Sequence, residues 1–271
     1  MPGAVEDLAA TGVTGKEGAL IRSVLMRCRS AARTARRAGA MAVGCGIIAA
    51  LGAGQPGISP AAAAPAVLGL DVSDHQPAID WSAVAPAGAQ FAYVKASEGT
   101  AFVNPDFASQ YDGAYQAGLI RGAYHFALPN QSSGAAQASY FVANGGGWTA
   151  DGRTLPGALD IEYNPYGAEC YGLSQSAMVS WIANFSDTYQ ALTSVWPVIY
   201  TTTAWWATCT GNYGGFAGQD PLWISGTTPG PLPAGWSTYT FWQYAPAGTF
   251  PGDQDIFNGS SSQLLQVAVS R

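Results

Sequence analysis

Basic residues are scarce in this chain, and most of them crowd its start. Eleven Lys and Arg stand against 17 Asp and Glu. Beyond residue 66 only Lys95, Arg121, Arg153 and Arg271 remain, beside 14 acidic residues, for a net charge of −10. Nucleic-acid recognition needs a basic face, so that class of partner is excluded. Histidine is rarer still: His75 and His125 are the only two. With no paired His or Cys spacing, a zinc-type ligand set is not expected, nor is any cofactor. Of four cysteines, Cys28 and Cys45 lie near the start, leaving Cys170 and Cys209. In an exported chain such a lone pair is expected to form a disulfide. The longest apolar run, 38–54, falls short of the about 20 residues that a membrane span needs.

The first 66 residues read as a leader. Arg22, Arg27, Arg29, Arg33, Arg36 and Arg37 form a basic block, the apolar run follows, and Ala61-Ala62-Ala63-Ala64-Pro65-Ala66 supplies small residues for cleavage. That order is an export signal. It predicts removal of residues 1–66, a functional domain over 67–271 and a secreted protein with no stable membrane association; the chain is expected to be a monomer. Arg36-Arg37 alone is weak support for twin-arginine export. Cys45 does not fit a lipid anchor, because the apolar residues follow it instead of preceding it.

From residue 67 short apolar runs alternate with Ala-rich stretches. Strands are predicted at 67–72, 91–96, 120–126, 158–161, 195–201, 222–225, 239–244 and 253–257. Helices are predicted at 105–117, 134–144 and 174–191, the last with Ser174 as N-cap and Met178, Ile182, Phe185 and Tyr189 at helical spacing. Strands alternating with helices indicate a parallel α/β architecture. In the last third Gly and Pro multiply and helix signals fade. The expectation is a modified TIM-like barrel whose final strands lack helices.

Several strands end on chemically useful residues. Leu68-Gly69-Leu70 runs into Asp71, and Ala158-Leu159 into Asp160, Ile161 and Glu162. Residues two apart on a strand share a face, so Asp160 and Glu162 are expected to project together, with Ile161 turned away. Active sites of such barrels lie at the carboxyl ends of the strands. Clustered carboxylates there cannot all ionise easily. One keeps a proton to donate while another stays charged, the division of labour that glycoside hydrolysis requires. A single strand-end Asp is more often a cap or turn residue. Two acids on one strand, in a chain with only three Glu past residue 66, are harder to explain that way.

Aromatic residues accompany them: Trp81, Tyr93, Tyr124, Tyr163, Tyr200, Trp223, Trp242 and Tyr244 lie at or near strand ends. Sugars stack on such rings while polar groups fix orientation. Core packing is expected of about half of these, since buried aromatics dominate ordinary cores too. Trp205-Trp206 falls in a Thr-rich stretch between strands, where a core role is less expected.

Taken in order, these segments resemble the family 25 glycoside hydrolases, the Chalaropsis-type lysozymes. The resemblance rests on Gly69-Leu70-Asp71-Val72-Ser73 with Gln76 and Ile79-Asp80-Trp81, then Phe91-Ala92-Tyr93-Val94-Lys95-Ala96-Ser97-Glu98-Gly99 and Arg121-Gly122-Ala123-Tyr124-His125-Phe126. Leu159-Asp160-Ile161-Glu162, Pro197-Val198-Ile199-Tyr200-Thr201, Leu222-Trp223-Ile224, Trp242-Gln243-Tyr244, and Asp253 with Phe257-Asn258-Gly259 follow. It implies hydrolysis of the β-1,4 bond between N-acetylmuramic acid and N-acetylglucosamine in peptidoglycan. It makes Glu162 the proton donor and Asp160 the carboxylate that steadies an intermediate formed with the substrate's own acetamido group. Asp71 becomes the acid ending the first strand. Asp253-Gln254-Asp255 offers two candidates for a fourth acid; spacing to Phe257-Asn258-Gly259 favours Asp253, and Asp255 falls at a structural position. Tyr124 matches a tyrosine near the cleaved sugar. Tyr93, Tyr163, Tyr200, Trp223, Trp242 and Gln243 complete the expected substrate contacts. His125 is expected to bond within the barrel, since the family needs no histidine.

Three rivals remain at this stage. A chitinase-like barrel would carry a longer acidic run before the Glu. A metal-dependent deacetylase would need more than two isolated histidines. A wall-binding protein without catalysis would not need four carboxylates.

Overall fold

The structure is a computed structural model that describes residues 66–269. The leader reading, Cys28, Cys45 and Arg271 therefore lie outside the described residues, apart from Ala66.

The chain opens with β1 (Val67–Val72), α1 (Trp81–Val84), β2 (Ala89–Glu98), β3 (Phe102–Val103) and α2 (Phe107–Gln116). Next come β4 (Ile120–Phe126), α3 (Gly134–Phe141), β5 (Ala158–Asp160), α4 (Gln175–Thr193) and β6 (Val198–Thr202). It ends with α5 (Thr203–Thr210), β7 (Leu222–Ser225), β8 (Phe241–Ala245), β9 (Asp253–Phe257) and α6 (Ser261–Val267). All eight strands expected from the sequence form, and they close into a barrel in the order β1-β2-β4-β5-β6-β7-β8-β9 and back to β1. β3 only hairpins onto β2. The fold is the modified TIM-like barrel, and no helix lies between β7 and β8 or between β8 and β9.

Strand alternation sorts the side chains. Val67, Phe91, Tyr93, Ile120, Tyr124, Ala158, Val198, Tyr200, Trp223, Phe241 and Phe257 pack together inside the barrel. Their neighbours one position away, such as Ala92, Val94, Leu159, Ile199 and Ile224, face the surrounding helices instead. Two interior glycines make room for the rings. A Cβ on Gly69 would stand 2.4 Å from the Phe91 ring, and one on Gly122 would stand 2.3 Å from the Tyr93 ring.

One pairing departs from an all-parallel barrel. β9 runs antiparallel to both β8 and β1. Its first residue, Asp253, therefore sits at the same end of the barrel as the last residues of its neighbours, opposite Asp71. The tight β8–β9 connection passes close to β1: Gly252 has φ +72°, and a Cβ there would meet the Asp71 carbonyl oxygen at 2.2 Å.

The predicted helices form for the expected reasons. The Ser174 side chain accepts from Ala177 N to cap α4, and Met178, Ile182, Phe185 and Tyr189 are its buried face. Four elements went unforeseen: α1, β3, α5 and α6. α5 corrects the reading of Trp205-Trp206. Both indoles are fully buried in the outer core, with Trp205 Nε1 donating to Glu169 O and Trp206 Nε1 to Tyr213 O. Adjacent tryptophans among threonines carry no one-sided helical stripe and weak helix propensity. Burial on both sides of the segment forms this helix. Trp81 is likewise no strand-end ring. It begins α1 and packs so closely on α2 that a Cβ on Gly113 would lie 2.2 Å from it.

Candidate active site

The carboxyl ends of the parallel strands surround an open cleft of about 220 Å³. Asp71 comes from the end of β1, Asp160 from the end of β5, Glu162 from the connection beyond it, and Asp253 from the start of β9; all four line this cleft. Tyr124, Tyr200, Trp223 and Gln243 line it too. Ile161 is buried in the outer core, as the alternation required, and its N–H donates to Tyr200 O, which holds the strand end beneath Glu162.

Gln243 organises one wall. Its Nε2 donates to Asp71 Oδ2 at 2.8 Å and to Asp253 Oδ2 at 3.0 Å. Its Oε1 accepts from Tyr200 OH and from Ser225 Oγ, both at 2.8 Å. Every hydrogen-bonding site of the amide is used, so the two carboxyls are held by one fixed group.

Burial and crowding keep these acids protonated far above their ordinary range. Glu162 is pushed to about 7, by burial and then by the charge of Asp253. Asp71 is also pushed to about 7, by burial, then Asp253, with a contribution from Glu162; the Gln243 bond works the other way. Asp160 is raised further by burial, Glu162 and Asp71, partly offset by Lys95. Asp253 is raised by burial alone. Asp160 Oδ1 has no hydrogen-bond partner in the protein although it is buried.

Asp255 occupies a different level. It is fully buried below Asp253 on the same inward face of β9, and Trp223 Nε1 donates to its Oδ1 at 2.9 Å. It is no turn or loop residue, so the bond it makes is to the barrel interior.

The other expected contacts divide. Tyr93 is a correction: it is fully buried and donates to Pro156 O at 3.0 Å, stacked on Trp223 inside the barrel. Trp242 also does not line the cleft. It turns outward, where Nε1 donates to Gly226 O and the ring packs against Tyr239 and Tyr244. Tyr163 is exposed on the β5–α4 connection, outside the lining. Tyr244 belongs with Trp242 rather than with the acids. Cys170 and Cys209 are bonded, tying that connection to α5.

His125 is a packed residue. It is fully buried between Phe141 and Phe185, its Nδ1 lies 2.9 Å from Ser97 Oγ and its Nε2 lies 3.0 Å from Gln137 Oε1. Burial lowers it to about 4, so it stays neutral. His75 is exposed at the rim.

Reading the sequence for sites overlooked Lys95, Phe126 and Ser225. Lys95 lines the cleft, with its Nζ 2.7 Å from Glu98 Oε2 and beside the rings of Phe102 and Phe126. Alternation could have found all three, for Lys95 lies two residues after Tyr93, Phe126 two after Tyr124 and Ser225 two after Trp223.

A barrel that gathers four carboxyls of raised pKa at the mouth of an open cleft defines a glycoside hydrolase. The chain belongs to the glycosyl hydrolases family 25, whose family model matches residues 70–253, and is an enzyme of the lysozyme class. It is 51% identical over 237 residues to lysozyme M1 of Streptomyces globisporus, covering 84% of this chain and 80% of that protein. It is 45% identical over 208 residues to an N,O-diacetylmuramidase of a Chalaropsis species, covering 74% and 99%. Among solved structures, a muramidase from Acremonium alcalophilum superposes with a TM-score of 0.74 at 56% identity, covering 76% of this chain and 100% of that one.

Proposed function

We propose that this chain is a secreted muramidase, freed of residues 1–66 on export and acting as a monomer. It cuts the β-1,4 bond between N-acetylmuramic acid and N-acetylglucosamine in peptidoglycan. The observation that carries the reading is Glu162, an acid raised to about 7 in an open cleft, flanked by Asp160, whose buried Oδ1 is unpartnered.

Glu162 donates its proton to the glycosidic oxygen as that bond to the anomeric carbon breaks. Asp160 accepts from the acetamido N–H of the sugar. The acetamido oxygen is thereby directed to bond the anomeric carbon, and the resulting positive charge lies beside a carboxylate. Water then attacks that carbon and reopens the acetamido ring, with Glu162 taking the proton back. Asp253, held with Asp71 by Gln243, adds to burial the negative charge that keeps the proton on Glu162 until substrate arrives. Tyr124, Tyr200 and Trp223 offer ring faces to the sugar. The chain is acidic, so capture of an anionic wall relies on these local contacts instead of long-range attraction.

Digestion of purified peptidoglycan, with identification of the new reducing-end sugar, tests this. New muramic acid ends support the reading; new glucosamine ends, or none, overturn it.

A further inference from the structure

We propose that Asp255 is a positioning residue that carries a permanent proton and donates it to Asp71, holding Asp71 as the charged member of the cluster. The inference rests on the glycosidase reading of the cleft for its catalytic consequence, though not for the proton itself.

The geometry leaves the buried carboxyl few choices. Asp255 is fully buried, and its Oδ1 is taken by Trp223 Nε1 at 2.9 Å. Its Oδ2 has no N–H or hydroxyl donor in the protein. Asp255 sits across from Gly69 on β1 and from Gln243 on β8. Gly69 has no side chain to contribute, and the Gln243 amide is already spent on Asp71, Asp253, Tyr200 and Ser225. What Asp255 does meet is Asp71: the two lie diagonally across the β1–β9 pairing on one inward face, and each carboxyl bears on the other. Two carboxylates cannot share such a contact; a carboxylic acid and a carboxylate can, through one short bond.

The direction of donation follows from the surroundings. The titratable groups facing Asp255 are Asp71 from β1, Tyr93 from β2 and Asp253 from its own strand. No cation faces it, and burial, Asp71 and Asp253 all raise it well above the carboxylate range. Asp71 has a second donor in Gln243 and borders the open cleft, so the charge rests there. Asp255 thereby links two cleft residues that do not touch through Gln243: it fixes the indole of Trp223 and the carboxylate of Asp71 with one side chain.

Asp255→Asn is the conservative variant, since Asn can accept from Trp223 and donate to Asp71 without a proton to lose. Asp255→Leu keeps the volume and removes both bonds. Infrared spectra of the intact protein at pH 9 read the proton directly. The wild type should retain a protonated-carboxyl band that Asp255→Asn lacks. In glycan cleavage, Asp255→Asn should keep kcat within about threefold with an unmoved pH profile. Asp255→Leu should lose about tenfold or more in kcat at little change in KM, with its acid limb shifted upward because Asp71 has lost a donor. Identical spectra for wild type and Asp255→Asn would overturn the proposal, as would a large pH shift in Asp255→Asn. Should the wild type cleave no glycan, the functional reading falls while the band still decides the proton. Should Asp255→Leu fail to fold, the Asn variant and the spectra suffice.

Discussion

Asp71 and Asp253 face each other across the β1–β9 pairing and receive their hydrogen bonds from a single amide, that of Gln243. Each raises or is crowded by the other, and Asp253 is also the charge that lifts Glu162. Asp253→Asn should therefore lower the pKa of both remaining acids. The whole pH–rate profile on soluble glycan should move downward, and the maximal rate should fall. A profile that stays in place would show that Asp253 is not electrically part of the cluster.

Glu162→Gln keeps the shape of the acid and removes its proton. General acid catalysis is worth about 10²–10⁴-fold, so kcat should fall by that order while glycan still binds. Melting temperature should not fall, and above pH 7 it should rise, because the amide removes the cost of burying a charge there. Turnover near that of the wild type would reassign the proton donor.

Buried acids make the fold acid-loving. Asp71, Glu162 and Asp220 all have folded values near 7, against about 4 when unfolded. Between those limits the native state binds more protons than the unfolded one, so stability falls as pH rises from about 4 to 7. His125 opposes this with one proton, because its folded value lies below its unfolded one. Three acids outweigh one histidine. Thermal melts should thus show a higher melting temperature at pH 5 than at pH 7.5; the reverse order would contradict the raised values of these acids.

Asp220 separates this effect from the cleft. It lies before β7, bonded to Ser186 of α4, with its other oxygen unpartnered. Asp220→Asn keeps an acceptor for Ser186 and has no charge to bury. It should be more stable than the wild type at pH 8, by about 1 kcal/mol or more, and near equal at pH 5. That corresponds to about 2–4 °C per kcal/mol in a domain of this size. Equal melts at both pH values would place the proton elsewhere.

Trp206→Ala tests the core assignment of α5. Removing a fully buried indole should cost about 3–5 kcal/mol, with no selective loss of sugar binding in whatever remains folded. A stable variant with weakened glycan affinity would return Trp206 to the cleft.

Local pattern determined a good deal of this protein. Alternating strands with capped helices between them specify a barrel, because period-2 and period-3.6 stripes are written into neighbouring residues. Asp160 and Glu162 two apart on one strand end, and Asp71 ending another, were legible for the same reason. Which rings reach the cleft was not. Tyr93 and Tyr200 are both inward residues of parallel strands, and only height along the barrel axis puts one in the core and the other at the mouth. That height is set by strand register between distant segments, which no local window carries. The strands' spatial neighbours also decided the difference between Asp253 and Asp255. They lie two apart on one face, but the antiparallel closure of β9 against β1 lifts the first to the open end beside Asp71 and sinks the second beneath Trp223, away from solvent.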